Sequence, residues 1–107
     1  MEIKWIRDQI RQARFLVSFT HTEKLRRRRI EIEAIKEAVA GGGIIESYPE
    51  DARGPSCLML GWSQTGRPIH VVCGKTQDDW LLIITAYEPD PDEWERDWKK
   101  RKGRAEP

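Results

Sequence analysis

The feature that most constrains this chain is a change of hydrophobic period at Gly41-Gly42-Gly43. Before the glycines, apolar residues recur every three or four positions, as on one face of a helix; beyond them they alternate or run together, as in strands. Helices and strands segregated along the sequence in this way predict an α+β fold. Ile3, Ile6, Ile10 and Ala13 place an amphipathic helix over residues 2–14, and Phe15 to Phe19 reads as a connector or a brief strand. Thr20 and Glu23 have the spacing of a capping box, so a helix opens there and carries Lys24 and the four arginines Arg26 to Arg29. A second helical period follows at Ile32, Ile35 and Val39. The three glycines end it, because continuing a helix through them is costly while left-handed caps are easy.

Four strands are expected after the glycines: Ile44 to Tyr48, Cys57 to Trp62, Pro68 to Cys73, and Trp80 to Tyr87. Ser63-Gln64-Thr65-Gly66 supplies hairpin chemistry, and short turns imply antiparallel pairing. The last strand is the most apolar and is expected at the centre, with Leu81, Ile83, Thr85 and Tyr87 on one face. Asp90-Pro91-Asp92-Glu93 orders an N-cap, a first-turn proline and a box glutamate, which predicts a C-terminal helix docked through Trp94 and Trp98. The expected architecture is thus N-terminal helices, a four-stranded antiparallel meander and a C-terminal helix, with the helices on one face and the other face partly open.

At 107 residues the chain is expected to form a single domain over residues 1–107. With 38% hydrophobic and 35% charged residues it reads as a soluble globular protein. No apolar run approaches the ~20 residues that span a bilayer, and MEIKWIRDQI lacks the pattern of a secretory signal, so no membrane and a cytoplasmic location are expected. Cys57 and Cys73 have no CxxC spacing and read as buried free thiols, with a bridge open to them only if their strands pair in register. The net charge of +1 conceals segregation: residues 1–29 carry nine Lys/Arg against three Asp/Glu, residues 30–98 five against fourteen, and residues 99–107 five against one. Such an arrangement favours a basic and an acidic patch, although charge runs are ordinarily just solvated helix faces.

Chemistry-bearing residues interrupt the apolar strands: His70 in the third, Thr85 and Tyr87 in the fourth. Upstream, Ser18-Phe19-Thr20-His21 and the arginine run add a second imidazole and a guanidinium cluster, a combination suited to a polyanion such as RNA. Each has a plainer reading. His21 is equally a helix-start residue bonded to backbone, His70 a satisfied core imidazole, and Tyr87 the anchor of a corner. A zinc site drawn from His21, His70, Cys57 and Cys73 lacks a chelating pair, and neither metal nor cofactor is expected. Gly41 to Gly43 is not a phosphate loop, since no lysine follows and no strand precedes it.

The segments SFTH, an arginine-rich turn with IEIEAI, IIESYPE, GPSCLMLGW, GRPIHVVCG, IITAYEPD and WERDWKKRK, in that order, resemble a bacterial and archaeal domain family of uncharacterised function. That family is grouped with the RelE-, MqsR- and BrnT-type toxins of toxin–antitoxin operons. The likeness covers residues 18–102 and implies a RelE-like fold, a metal-independent endoribonuclease acting on free or ribosome-associated mRNA, and a cognate antitoxin as partner. The positions it carries over are His21, Arg28, His70 and Tyr87. Arg28 sits in Arg28-Arg29-Ile30 where relatives commonly have Arg-Gly-Ile, so the usual glycine is replaced.

Metal-free RNA cleavage needs a base for the 2′-hydroxyl, cationic donors for the phosphate and an acid for the leaving oxygen. Histidine suits the first and last, and arginine's fork of donors the second. The hypothesis is His21 as base, favoured in its neutral form by a helix start, His70 as acid, Arg28 as phosphate clamp and Tyr87 as an orienting group. Arg26, Arg29, Arg67, Lys75, Lys99 and Arg101 are the candidates for holding the RNA backbone. The competing reading is a non-catalytic module that docks a partner protein or nucleic acid, and a toxin-like remnant that has lost cleavage is the third.

Overall fold

The triple glycine is where the helical half of the molecule meets the sheet. In the computed structural model, which describes residues 1–18 and 22–103, helix α1 spans Ile3–Arg11, strand β1 Phe15–Val17, helix α2 Thr22–Arg27 and helix α3 Ile32–Gly41. Strands β2 (Gly43–Tyr48), β3 (Ser56–Trp62), β4 (Pro68–Lys75) and β5 (Leu81–Tyr87) follow. The C-terminal turn of α3 lies directly on β3. A Cβ at Gly42 would collide with the carbonyl oxygens of Leu60 and Ala38, and one at Gly61 with the backbone of Ala38. Two glycines facing each other thus let a helix and a strand approach closer than side chains allow.

The sheet has five strands in the order β1-β5-β4-β3-β2. Strands β2 to β5 pair antiparallel in succession, and β1 adds to β5 in parallel, with Phe15 opposite Leu81 and Val17 opposite Ile83. The expected four-stranded, all-antiparallel sheet is therefore corrected to a mixed five-stranded one. The central strand is β4 rather than β5, because the short run after α1 covers the edge of β5. Ile6, Ile10, Leu25, Ile30, Ile35, Ala38 and Val39 from the helical half pack on Cys57, Met59, Ile69, Val71, Cys73, Leu81, Ile83 and Ala86 of the sheet, forming one core. Each large aliphatic buried there contributes about 1.5–3 kcal/mol.

Alternation along β3 and β4 sends Leu58, Leu60 and His70 to the other face, where they are also buried. That face stays partly open, as expected, with Trp62 46% exposed; over His70 it is covered by residues 90–103, which form no helix. The N-cap signal produces a single turn: the amides of Asp92, Glu93 and Trp94 all turn back to Asp90, the first to its side chain. The chain then folds on itself, with Trp94 bridged to Arg101, Glu95 N–H donating to the Lys100 carbonyl and Trp98 at φ 62°. A helix through WERDWKKRK would own only two apolar side chains, too few to repay nucleation. We call this segment the strap.

Candidate functional site

The register of β4 on β5 decides what the imidazole meets. His70 lies opposite Tyr87, Val72 opposite Thr85 and Cys73 opposite Ile83, so Ile84 is an extra residue, a β-bulge. The bulge reverses the faces of β5: Leu81, Ile83 and Ala86 enter the core, while Thr85 and Tyr87 turn to the His70 side. The expectation that Leu81, Ile83, Thr85 and Tyr87 share a face is corrected accordingly, since strict alternation does not survive an inserted residue.

His70 has no exposed surface. Its Nε2 lies 2.7 Å from the Trp98 carbonyl, which can only accept, so that nitrogen carries the proton. Nδ1, 3.3 Å from the Tyr87 hydroxyl, is then the acceptor of the phenolic proton. Tyr87 and Trp94 meet the imidazole edge-on, with ring centroids 5.3 and 4.3 Å away. Burial holds the His70 pKa below its ordinary value, opposed by the Trp98 carbonyl and the Glu46 carboxylate. Burial likewise raises the Tyr87 pKa. A neutral imidazole thus faces a protonated phenol.

Arg28 stands at the outer end of this pair. Its Nη1 donates to the Ala86 carbonyl at 2.7 Å and to Thr85 Oγ1 at 3.2 Å, and its guanidinium carbon is 6.0 Å from the centre of the Tyr87 ring. The position depends on how α2 ends. Arg29 adopts φ 57°, its N–H donates to the Arg26 carbonyl, and Ile30 N–H reaches back to Leu25, a Schellman ending with the Ile30 and Leu25 side chains both buried. This explains why glycine suits the residue after Arg28. The structure thus brings Arg28, His70 and Tyr87 together, while His21 lies outside the described residues.

The other cations are divided among different tasks. Arg67 donates to Glu88 at 3.0 Å and to the Arg29 and Arg28 carbonyls at 2.9 and 3.3 Å, clipping the α2–α3 turn to the ends of β4 and β5. Arg101 makes two bonds to Glu46, at 3.0 and 3.1 Å, and lies over the Trp94 ring, closing the strap on the sheet. Glu46 also accepts from the Tyr48 hydroxyl. Arg26 pairs loosely with Glu23 on the surface, and Arg29 is exposed. Lys75 sits over Trp5, five residues along β4 from His70 and therefore roughly 16 Å away. Lys99 lines a separate hollow with Trp62.

Glu46, Trp94 and the Trp98 carbonyl are partners of His70 or its strap that sequence reasoning did not assign. Only Glu46 had a signal, an acid inside a strand whose partner sits 55 residues on. Cys57 and Cys73 are directly opposite across β3 and β4, buried and free. They face the helices while His70 faces the strap, so these three cannot share a metal. Among the described residues, no group of three or more His, Cys, Asp or Glu is placed to hold one.

A family described as a domain of unknown function (DUF4258) matches residues 22–88. No curated protein and no solved structure matches the chain.

Proposed function

From its membership of the DUF4258 family, whose description carries no activity, and from the chain of contacts Arg28–Tyr87–His70, we propose that this protein is a RelE-like endoribonuclease, the toxin of a toxin–antitoxin pair. The observation that carries the reading is the partly buried phenol backed by a sealed neutral imidazole and flanked by a tethered guanidinium. Arg28 spends Nη1 on β5, which fixes its plane and leaves Nε and Nη2 as donors for a phosphate. Tyr87 takes the proton of the attacking 2′-hydroxyl while passing its own to His70 Nδ1. The imidazolium so formed keeps its Nε2–H on the Trp98 carbonyl and is favoured by the nearby Glu46 carboxylate. The 2′-oxygen attacks phosphorus as the bond to the 5′-oxygen breaks, and that leaving oxygen takes up a proton from solvent. In this scheme His70 acts as proton acceptor, the reverse of the acid role that its type alone proposes. The partners are mRNA and an antitoxin protein in the cytoplasm.

Inducing the gene alone should arrest growth, with rescue by its neighbour. Purified protein should cut RNA, and Tyr87→Phe and Arg28→Ala should each lower the rate about 100-fold or more. A second reading, a non-catalytic docking module, is favoured by the complete burial of His70 with both nitrogens occupied. Unimpaired growth and intact RNA with the wild-type chain reject the nuclease and leave the module.

A further inference from the structure

On the strap face, beside the sealed imidazole, lies a hollow of about 500 Å³, within the size range of small-ligand sites. Its lining includes Gly43, Ile44, Leu60, Trp62, Lys99 and Lys100, and no acidic residue. Trp62 closes the β3–β4 hairpin, and 46% of it is open to solvent, an unusual place to leave an indole. Lys99 and Lys100 come from the strap, which Arg101 and Glu46 pin in place. Gly43 keeps the hollow open: a Cβ there would meet no atom within 4 Å. Asp97 lies near both ammonium groups but outside the lining. An aromatic wall, an aliphatic base and two ammonium groups describe the complement of a flat ring carrying a negative charge.

We infer that this hollow binds an unpaired nucleotide, its base stacked on Trp62 and its phosphate between Lys99 and Lys100. The indole face is matched to a base because every base has a π-face, and such stacking tolerates any sequence. Lysines, as flexible point charges, suit a phosphate whose position varies along a strand. The site lies on β3, two strands from Tyr87 on β5 and about 10 Å across the sheet, so one strand crossing the strap reaches both. The inference shares with the proposed nuclease the choice of nucleic acid as target, but it needs no chemistry.

The test uses the full chain and an octanucleotide with 2′-O-methyl riboses, which cannot be cut through the 2′-oxygen. Binding is followed by fluorescence anisotropy against the same strand in a duplex and against adenosine monophosphate. The unpaired strand should bind, the duplex should bind at least tenfold more weakly, and Trp62→Leu should weaken the strand about tenfold or more. Gly43→Leu, whose Cβ has open space, should do the same. Lys99→Ala with Lys100→Ala should lower the slope of log K against log salt by about 1.4. Adenosine monophosphate binding as tightly as the strand, with the same dependence on Trp62, supports the site with a free nucleotide as its source. Strand binding unchanged in both Trp62→Leu and Gly43→Leu, or no binding by the wild type at millimolar protein, overturns it. Strand binding with Trp62 dependence but no RNA cleavage sinks the nuclease and keeps the hollow. Cleavage with the same KM in Trp62→Leu as in the wild type does the opposite.

Discussion

At the scale of single residues, Arg29 and His70 each hold an unfavourable state that their surroundings enforce. Arg29 is left-handed at φ 57° because α2 must stop there for Ile30 to enter the core and Arg28 to reach β5. A side chain in that conformation costs about 1–2 kcal/mol, and glycine's greater freedom when unfolded returns part of that. Arg29→Gly should therefore stabilise the protein by about 0.5–1 kcal/mol in urea unfolding, and a loss of stability would contradict the left-handed ending. His70 is neutral when folded because burial lowers its pKa. The unfolded chain therefore binds a proton more readily, and stability is lost as pH falls below the unfolded value of about 6.5. Denaturation midpoints should drop between pH 7.5 and 5.5, and that slope should vanish in His70→Gln. The Glu46 carboxyl, held low by Arg101, works in the same direction but only at more acid pH. A slope that persists in His70→Gln would assign it to another group.

At the scale of elements, contact distance between α3 and β3 is the tightest constraint. Gly42 and Gly61 bring the helix end against the strand without intervening side chains. Gly61→Ala places a methyl group against the Ala38 backbone, which cannot move as a flexible side chain would. A cost of about 1–3 kcal/mol is expected, or more if the helix cannot shift, read from the midpoint of chemical unfolding. A neutral result would mean that α3 rides higher on the sheet. The bulge at Ile84 has the opposite character: it adds a residue, turns Tyr87 toward His70 and leaves Leu81 and Ile83 in the core. Without it, the phenol would face the helices and the imidazole would have no aromatic hydroxyl to accept from.

For the whole molecule, the layers are helices, sheet and strap, and the third is held mainly by one indole. Trp94 is 3% exposed against His70, with Arg101 stacked on its far side. Trp94→Ala should cost about 3–5 kcal/mol, as large aromatic truncations do, and should admit solvent to His70. A shift below about 1 kcal/mol would show that the strap adds no packed layer. The Glu46–Arg101 pair should contribute far less, since Arg101 is largely exposed and such pairs are worth about 0–1 kcal/mol. Among the described residues, no helix is long and apolar enough to cross a membrane.

What the sequence determined by itself was local. The apolar period placed α1 and α3, the glycines ended α3, turn residues separated β2 to β5, and residue type picked out His70 and Tyr87. These follow from forces acting over a few neighbouring positions. Tertiary structure decided the rest, because it depends on partners distant in the chain: Phe15–Val17 joining β5 as a fifth strand, the bulge that turned Tyr87 over, and the strap that took the place of a helix. The tautomer of His70 belongs there too, since the carbonyl that sets it comes from Trp98, 28 residues away. Short-range preference can propose an imidazole for a site, but only a partner folded against it decides which nitrogen keeps the proton.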